Sequence, residues 1–121
     1  MAKTILIADD SDSIRKLLEA TLQSAGYDVL TSVDGEDALR HLTGQSIDLL
    51  ITDLNMPGMD GIALVREVRK KESYESMPIL LLTTESRAEK KEEAKVAGAT
   101  GWVVKPFVQS KLLAVIQKLI R

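Results

Sequence analysis

A sequence of 121 residues with 45% hydrophobic content is expected to bury one core and to form a single domain over 1–121. Its 16 basic and 18 acidic residues are mixed along the chain for a formal charge of −2, which recommends neither nucleic acid nor a membrane surface as partner. Cysteine is absent, which removes disulfide frameworks, thiolate metal sites and thiol nucleophiles together.

The first apolar run, Ile5-Leu6-Ile7-Ala8, reads as a strand over about 3–9 that stops at Asp9-Asp10. Four apolar residues are too few for a signal-peptide core, and no later run approaches the ~20 residues that cross a bilayer. A soluble, cytoplasmic protein is the expectation. Ile14, Leu17, Leu18, Thr21, Leu22 and Ala25 then recur at helical spacing and close at Gly26. After a strand over about 27–33, Ala38, Leu39 and Leu42 predict a short helix that ends near Gly44 and carries the one histidine, His41, on its surface.

Ile47, Leu49, Leu50 and Ile51 predict a third strand over about 48–53, ending on Asp53. Met56 and Met59 flank Pro57 in the loop that follows and are expected to serve packing and loop geometry. Ile62, Leu64, Val65 and Val68 mark the third helix, and a fourth strand is expected over about 78–83. The fourth helix, about 86–97, is rich in charge and leaves only Ala88, Ala94, Val96 and Ala97 to bury, so it should be the least tightly held; Lys90 and Lys91 read as its solvated face. A strand over about 101–105 and a helix over 108–121 with Val108, Leu112, Ile116, Leu119 and Ile120 complete the chain.

Strict alternation of strand and helix implies right-handed crossovers and a doubly wound, five-stranded parallel α/β sheet in a three-layer sandwich. Several strands are continuous apolar runs, as expected when helices cover both faces. With the flavodoxin-like order 2-1-3-4-5, the winding reverses between strands one and three, and ligands meet such sheets at that point, beyond the carboxyl ends of the strands. Asp9, Asp10 and Asp53 would then stand side by side.

Thr83 and Thr84 end the fourth strand and Lys105 the fifth on the same edge, so carboxylates, hydroxyls and one ammonium converge. Carboxylates buried together are costly unless a cation answers them. Hard oxygen ligands suit Mg²⁺, which favours one or two carboxylates with waters and phosphate oxygens. A carboxylate beside such an ion and a lysine is equipped to attack an activated phosphoryl group and form an acyl phosphate. Asp53 is the natural acceptor, with Lys105 and Thr83 holding the phosphoryl oxygens.

Asp9-Asp10, the segment Asp53-Leu54-Asn55-Met56-Pro57-Gly58-Met59-Asp60-Gly61, Thr83 and Lys105-Pro106-Phe107 resemble the receiver domain of two-component response regulators along the whole chain. The segments Thr83-Thr84-Glu85 and Gly98 to Phe107 look most like single-domain chemotaxis regulators of the CheY type. The resemblance implies that Asp53 takes a phosphoryl group from the phosphohistidine of a CheA-like sensor kinase. It further implies that Asp10, Asp53 and the Asn55 backbone carbonyl bind Mg²⁺, with Asp9 acting through water, and that the Lys105–Pro106 bond is cis. The surface of the fourth helix, fifth strand and fifth helix is then the part that phosphorylation remodels for a downstream target such as the flagellar motor switch, with a phosphatase as a further partner.

Two departures belong to this chain. Trp102 stands where such regulators often carry tyrosine or phenylalanine; the hydroxyl of Thr83 would turn toward the phosphoryl group and leave space for the indole. Thr84 stands where alanine or glycine often follows the switch threonine, which narrows access to the acyl phosphate and should alter its lifetime. Other readings are an intermediate phosphoacceptor of a different phosphorelay, a haloacid-dehalogenase-like phosphatase and a flavodoxin-like cofactor carrier. The phosphatase needs an acid two residues after its nucleophile, where this chain has Asn55. The carrier needs a first loop rich in hydroxyl and glycine donors, whereas Asp9-Asp10-Ser11-Asp12 repels phosphate. A receiver kept only for docking is disfavoured, because all the site residues are present. A non-enzymatic switch is the expectation.

Overall fold

Alternation of side chains along the strands decides the layers. In β1 (Thr4–Ala8), Ile5 and Ile7 face one apolar layer while Leu6 and Ala8 face the other, and all four are fully buried. Leu49 and Ile51 of β3 (Leu49–Thr52) and Leu80 and Leu82 of β4 (Ile79–Thr83) join the first layer; Leu50, Ile79 and Leu81 join the second. β2 (Asp28–Ser32) and β5 (Gly101–Val104) form the edges of a sheet whose order is β2-β1-β3-β4-β5, with every pairing parallel. This computed structural model describes residues 2–120.

α1 (Asp12–Ser24) and α5 (Gln109–Leu119) cover one face with Leu18, Leu22, Leu112 and Ile116. α2 (Gly35–His41), α3 (Gly61–Arg69) and α4 (Ala88–Ala97) cover the other with Ala38, Leu64, Val65, Val68 and Ala94. Each fully buried Leu or Ile contributes about 1.5–3 kcal/mol, so these two layers hold the strand ends in register. The doubly wound three-layer sandwich expected from the alternation is the fold observed.

Three helices begin at the carboxyl edge of the sheet on side-chain caps. Ser11 accepts from Ile14 N–H at 3.4 Å, Asp34 from Asp37 N–H at 2.8 Å and Asp60 from Ala63 N–H at 2.8 Å. Gly26, expected to stop the first helix, lies just past the Ala25 cap with φ of +94°, a conformation that glycine adopts without a Cβ penalty.

The fourth helix is held even more sparsely than its composition suggested. Only Ala94 is buried; Val96, expected to pack, is 78% exposed, and Ala88 is exposed as well. Its far end is pinned instead by Arg69, whose guanidinium donates to the carbonyls of Gly98 (2.8 and 3.0 Å), Tyr74 (2.9 Å) and Met77 (2.6 Å). Burial lowers the Arg69 pKa from its usual value.

Tyr74 closes a 3-10 turn, Glu72–Tyr74, that the sequence pattern did not announce. His41 is half-buried rather than on the surface. The fourth and fifth helices begin at Ala88 and Gln109 rather than 86 and 108, and Arg121, included in the expected last helix, lies outside the described residues. Among the described residues no helix is long and apolar enough to cross a membrane.

Candidate functional site

Asp9, Asp53 and Lys105 each stand one step beyond the sheet ladder and are still tied to it by their backbone. Asp9 N–H donates to Ser32 O at 3.2 Å, Asp53 N–H to Ala8 O at 2.9 Å and Lys105 N–H to Thr83 O at 2.8 Å. The main chain is therefore fixed while the side chains project past the strand ends. This is also why the observed strands stop short of the expected limits at 9, 53 and 105.

Asp9, Asp10 and Asp53 each bring one carboxylate oxygen within 4.8 Å of the others. Lys105 Nζ lies 2.9 Å from Asp9 Oδ2 and 3.4 Å from Asp53 Oδ2. The three side chains are 3%, 13% and 11% exposed for Asp9, Asp53 and Lys105, so the ammonium answers charge that water reaches poorly. The remaining oxygens are occupied by nearby amides: Asp9 Oδ1 accepts from Ser11 N–H at 2.9 Å and Asp53 Oδ1 from Leu54 N–H at 2.7 Å. Asp10 is exposed and, among the described residues, has no side-chain partner.

Three carboxylates against one ammonium leave negative charge in a small space lined by hard oxygen donors. That set fits a divalent cation such as Mg²⁺. Asn55 follows Asp53 by two residues and is exposed in the adjoining loop.

The loop after Asp53 is shaped by Gly61. Its N–H donates to Leu54 O at 2.7 Å, and a Cβ built there would lie 2.2 Å from the Asp53 carbonyl oxygen. Only a residue without a side chain lets α3 start this close to the acid. Thr52, fully buried, donates its hydroxyl to that same carbonyl at 2.9 Å.

Thr83 is fully buried, and its Oγ1 accepts from Glu85 N–H at 3.2 Å. Thr84 beside it is exposed. Glu85 also accepts, through its backbone carbonyl, the Trp102 indole N–H at 3.0 Å. Its carboxylate takes the Ser86 and Arg87 amides at 3.1 and 3.0 Å and a two-pronged contact from the Arg87 guanidinium at 2.8 and 3.0 Å. The Arg87 side-chain hydrogen bond, helped by the Arg87 amide, holds the Glu85 carboxyl down to about 2, and Glu85 raises Arg87 in return.

Trp102 itself is half-buried on the edge strand. The indole packs against the layer of α2, α3 and α4 and is tied to the β4–α4 loop. Pro106 is exposed after a cis Lys105–Pro106 bond, as the resemblance implied. The structure gathers Asp9, Asp10, Asp53 and Lys105 into one cluster and links Thr83 to Trp102 through Glu85. Sequence reasoning quoted Gly61 and Glu85 within their motifs without giving either a role, and passed over Arg15, whose guanidinium meets the Asp9 carbonyl at 2.7 Å. A glycine opening a helix directly after the acidic loop was the one available signal among these.

A model of the response regulator receiver domain matches residues 5–117. The chain belongs to that family. The receiver is 40% identical over 116 residues to the chemotaxis protein CheY of Pseudomonas aeruginosa, covering 95% of this chain and 94% of that one. In shape it is similar to the chemotaxis protein CheY4 of Vibrio cholerae, with a TM-score of 0.95, 46% identity and coverage of 98% and 99% of the two chains. It is also similar to the receiver domain of the sensor histidine kinase PA1611 of Pseudomonas aeruginosa, solved with a magnesium ion coordinated in the active site cleft. There the TM-score is 0.91 at 31% identity, over 99% of this receiver and 98% of that domain. The chain is thus a CheY-type receiver of a two-component response regulator, a module that interacts with a histidine kinase and a downstream target.

Proposed function

We propose that this receiver is a phosphorylation switch whose acceptor is Asp53, and that it serves chemotaxis. The observation that carries the reading is the placement of Asp53 Oδ2 3.4 Å from Lys105 Nζ, inside a cluster with Asp9 and Asp10. A carboxylate oxygen of Asp53 attacks the phosphorus of a kinase phosphohistidine. The P–N bond breaks, an aspartyl phosphate forms, and the departing imidazole recovers a proton.

Lys105 is positioned to stabilise the transferred group's oxygens while keeping its contact with Asp9. Thr83 accepts from Glu85 N–H and retains its own hydroxyl hydrogen for a phosphoryl oxygen. Asp10, Asp53 and the Asn55 backbone carbonyl would hold Mg²⁺, with Asp9 reaching it through water. Mg²⁺ bound there supplies positive charge to the phosphoryl oxygens.

In this reading the protein acts as a switch and not as an enzyme, because the acid that a haloacid-dehalogenase-like phosphatase needs is replaced by Asn55. Exposed Thr84 narrows access to the acyl phosphate and sets how long the switched state lasts. The surface that responds is α4, β5 and α5; on its α4 side Lys91, Ala94 and Lys95 of α4 and Trp102 of β5 border a groove of about 240 Å³. Chemotaxis is supported by the relatives just described, and the reading places the receiver in the cytoplasm with a CheA-like kinase and the flagellar motor switch as partners.

The intermediate role in another phosphorelay is favoured by the likeness to the receiver of a sensor kinase. Pull-down from cell extract with receiver loaded by a phosphoryl mimic and Mg²⁺, against Asp53→Asn, decides between them. Recovery of flagellar-switch components supports chemotaxis; recovery of a histidine phosphotransferase instead overturns it in favour of a relay.

A further inference from the structure

Arg15 does something for the acidic loop that its charge alone would oppose. Asp9 is the last residue of β1's edge to donate into the ladder, and its carbonyl lies beyond the paired register, which ends at Ala8. Arg15 Nη1 donates to that carbonyl at 2.7 Å. The other prong, Nη2, pairs with the Asp12 carboxylate, and the Arg15 amide donates to Ser11 O at 3.0 Å. The amide bond is simply the first turn of α1; it is the guanidinium, on a side chain only 15% exposed, that bridges the helix at Asp12 to the loop at the Asp9 carbonyl.

A peptide unit is planar, so fixing a carbonyl also fixes the N–H and the next Cα. The carbonyl of Asp9 belongs to the Asp9–Asp10 peptide, so Arg15 sets the direction in which Asp10 leaves the strand. Asp9 has other restraints, from Ser11 N–H and Lys105. Asp10 is exposed and has no side-chain partner among the described residues, so its aim depends on its backbone.

We propose that Arg15 is a positioning residue that presents Asp10 to the divalent cation by fixing the Asp9–Asp10 peptide. This rests on the reading of Asp9, Asp10 and Asp53 as a Mg²⁺ site. Mg²⁺ demands near-ideal octahedral geometry, which makes ligand aim matter more than it would for a softer or larger ion.

The two roles of an arginine here have opposite signs. A cation beside a Mg²⁺ site repels the ion, so deleting a mere charge tightens binding. Deleting a clamp loosens it, and lost support of a metal ligand typically costs 10- to 100-fold in affinity.

Calorimetric titration of MgCl₂ into the full chain, run for wild type, Arg15→Ala, Arg15→Lys, Asp10→Asn and the double variant Asp10→Asn/Arg15→Ala, tests this. Arg15→Ala is expected to weaken Mg²⁺ binding by about tenfold or more. Arg15→Lys, which can reach the carbonyl with one donor but cannot span to Asp12, falls between. In the Asp10→Asn background the Arg15 change has no further effect, since the clamp acts through Asp10. Unchanged or tighter binding by Arg15→Ala overturns the proposal, as does an equal loss in both backgrounds. Should Arg15→Ala not fold, Arg15→Lys decides: weaker binding supports the clamp, and unchanged or tighter binding overturns it. Absence of Mg²⁺ binding by wild type overturns the metal-site reading and the clamp with it.

Discussion

Trp102 donates its indole N–H to the backbone carbonyl of Glu85 at 3.0 Å, which ties β5 to the loop between β4 and α4. Glu85 in turn donates its amide to Thr83 Oγ1. The residue expected to sense the phosphoryl group and the residue expected to report it therefore share one neighbour. Since α4 buries only Ala94, this loop governs how its first turn is held. Replacing Trp102 by Phe keeps an aromatic ring but removes the donor, at a net cost of about 1 kcal/mol. Amide exchange at the start of α4 is expected to accelerate about fivefold, while β1 and β4 keep their protection; unchanged exchange there would mean that the indole does not hold the loop.

Acid should loosen the same loop over a defined range. Glu85 is held down to about 2 chiefly by the Arg87 side-chain hydrogen bond, against an ordinary value of 4.5. A depressed folded-state pKa gives stability that is complete above the ordinary value and disappears as pH falls toward the folded one. The Glu85–Arg87 contact is thus intact at neutral pH, contributes progressively less below about 4.5, and is gone below about 2. An NMR titration of the Glu85 carboxyl should show its midpoint near the lower value in wild type and shifted up toward the ordinary value in Arg87→Ala, where the amides of residues 86 and 87 still hold it partly down; an unshifted midpoint in the variant would mean that the guanidinium does not hold the carboxyl.

Gly61→Ala should be among the most damaging small substitutions in the chain. The added Cβ meets backbone, the Asp53 carbonyl at 2.2 Å, so no rotamer change relieves it. Either α3 or the acidic loop must shift, for about 2–3 kcal/mol. Urea unfolding followed by circular dichroism measures this; a loss below about 0.5 kcal/mol would show that the contact yields easily.

Removing Asp10 should reverse its effect on stability when Mg²⁺ is added. Without the ion, Asp10→Asn relieves repulsion among three carboxylates and raises the melting temperature by a few degrees, for roughly 1 kcal/mol. With Mg²⁺ in hundredfold excess over its dissociation constant, wild type gains about 2.7 kcal/mol, most of which the variant forfeits. Melting curves with and without MgCl₂ should cross in rank; parallel shifts would remove Asp10 from the ion's ligands.

The sheet was legible because both of its faces are covered. Ile5 to Ala8, Leu49 to Ile51 and Ile79 to Leu82 are continuous apolar runs, and their ends fall on chemically distinctive residues. Asp9 and Asp53 were legible for the same reason: a charged residue directly after a buried run must be answered by something; Lys105 follows a half-buried edge strand and was legible from its matching place at a strand end. What escaped the pattern acts through the backbone. Arg15 and Arg69 hold carbonyls several residues or another element away, Glu85 holds the two amides that follow it, and no periodicity marks such bonds to main chain. Gly61 matters for a distance that exists only once α3 is docked. Val96 was misread because helical spacing cannot say how far a helix lies from its sheet.

Every step of the switch depends on Asp53 as acceptor. The most direct measurement is to incubate the receiver with acetyl phosphate and Mg²⁺, reduce the acyl phosphate with borohydride, and locate the modified residue by peptide mass mapping. The account predicts one phosphoryl group per chain, mapped to Asp53, and none when Mg²⁺ is chelated or in Asp53→Asn. Modification at another residue, or undiminished uptake by Asp53→Asn, would contradict it.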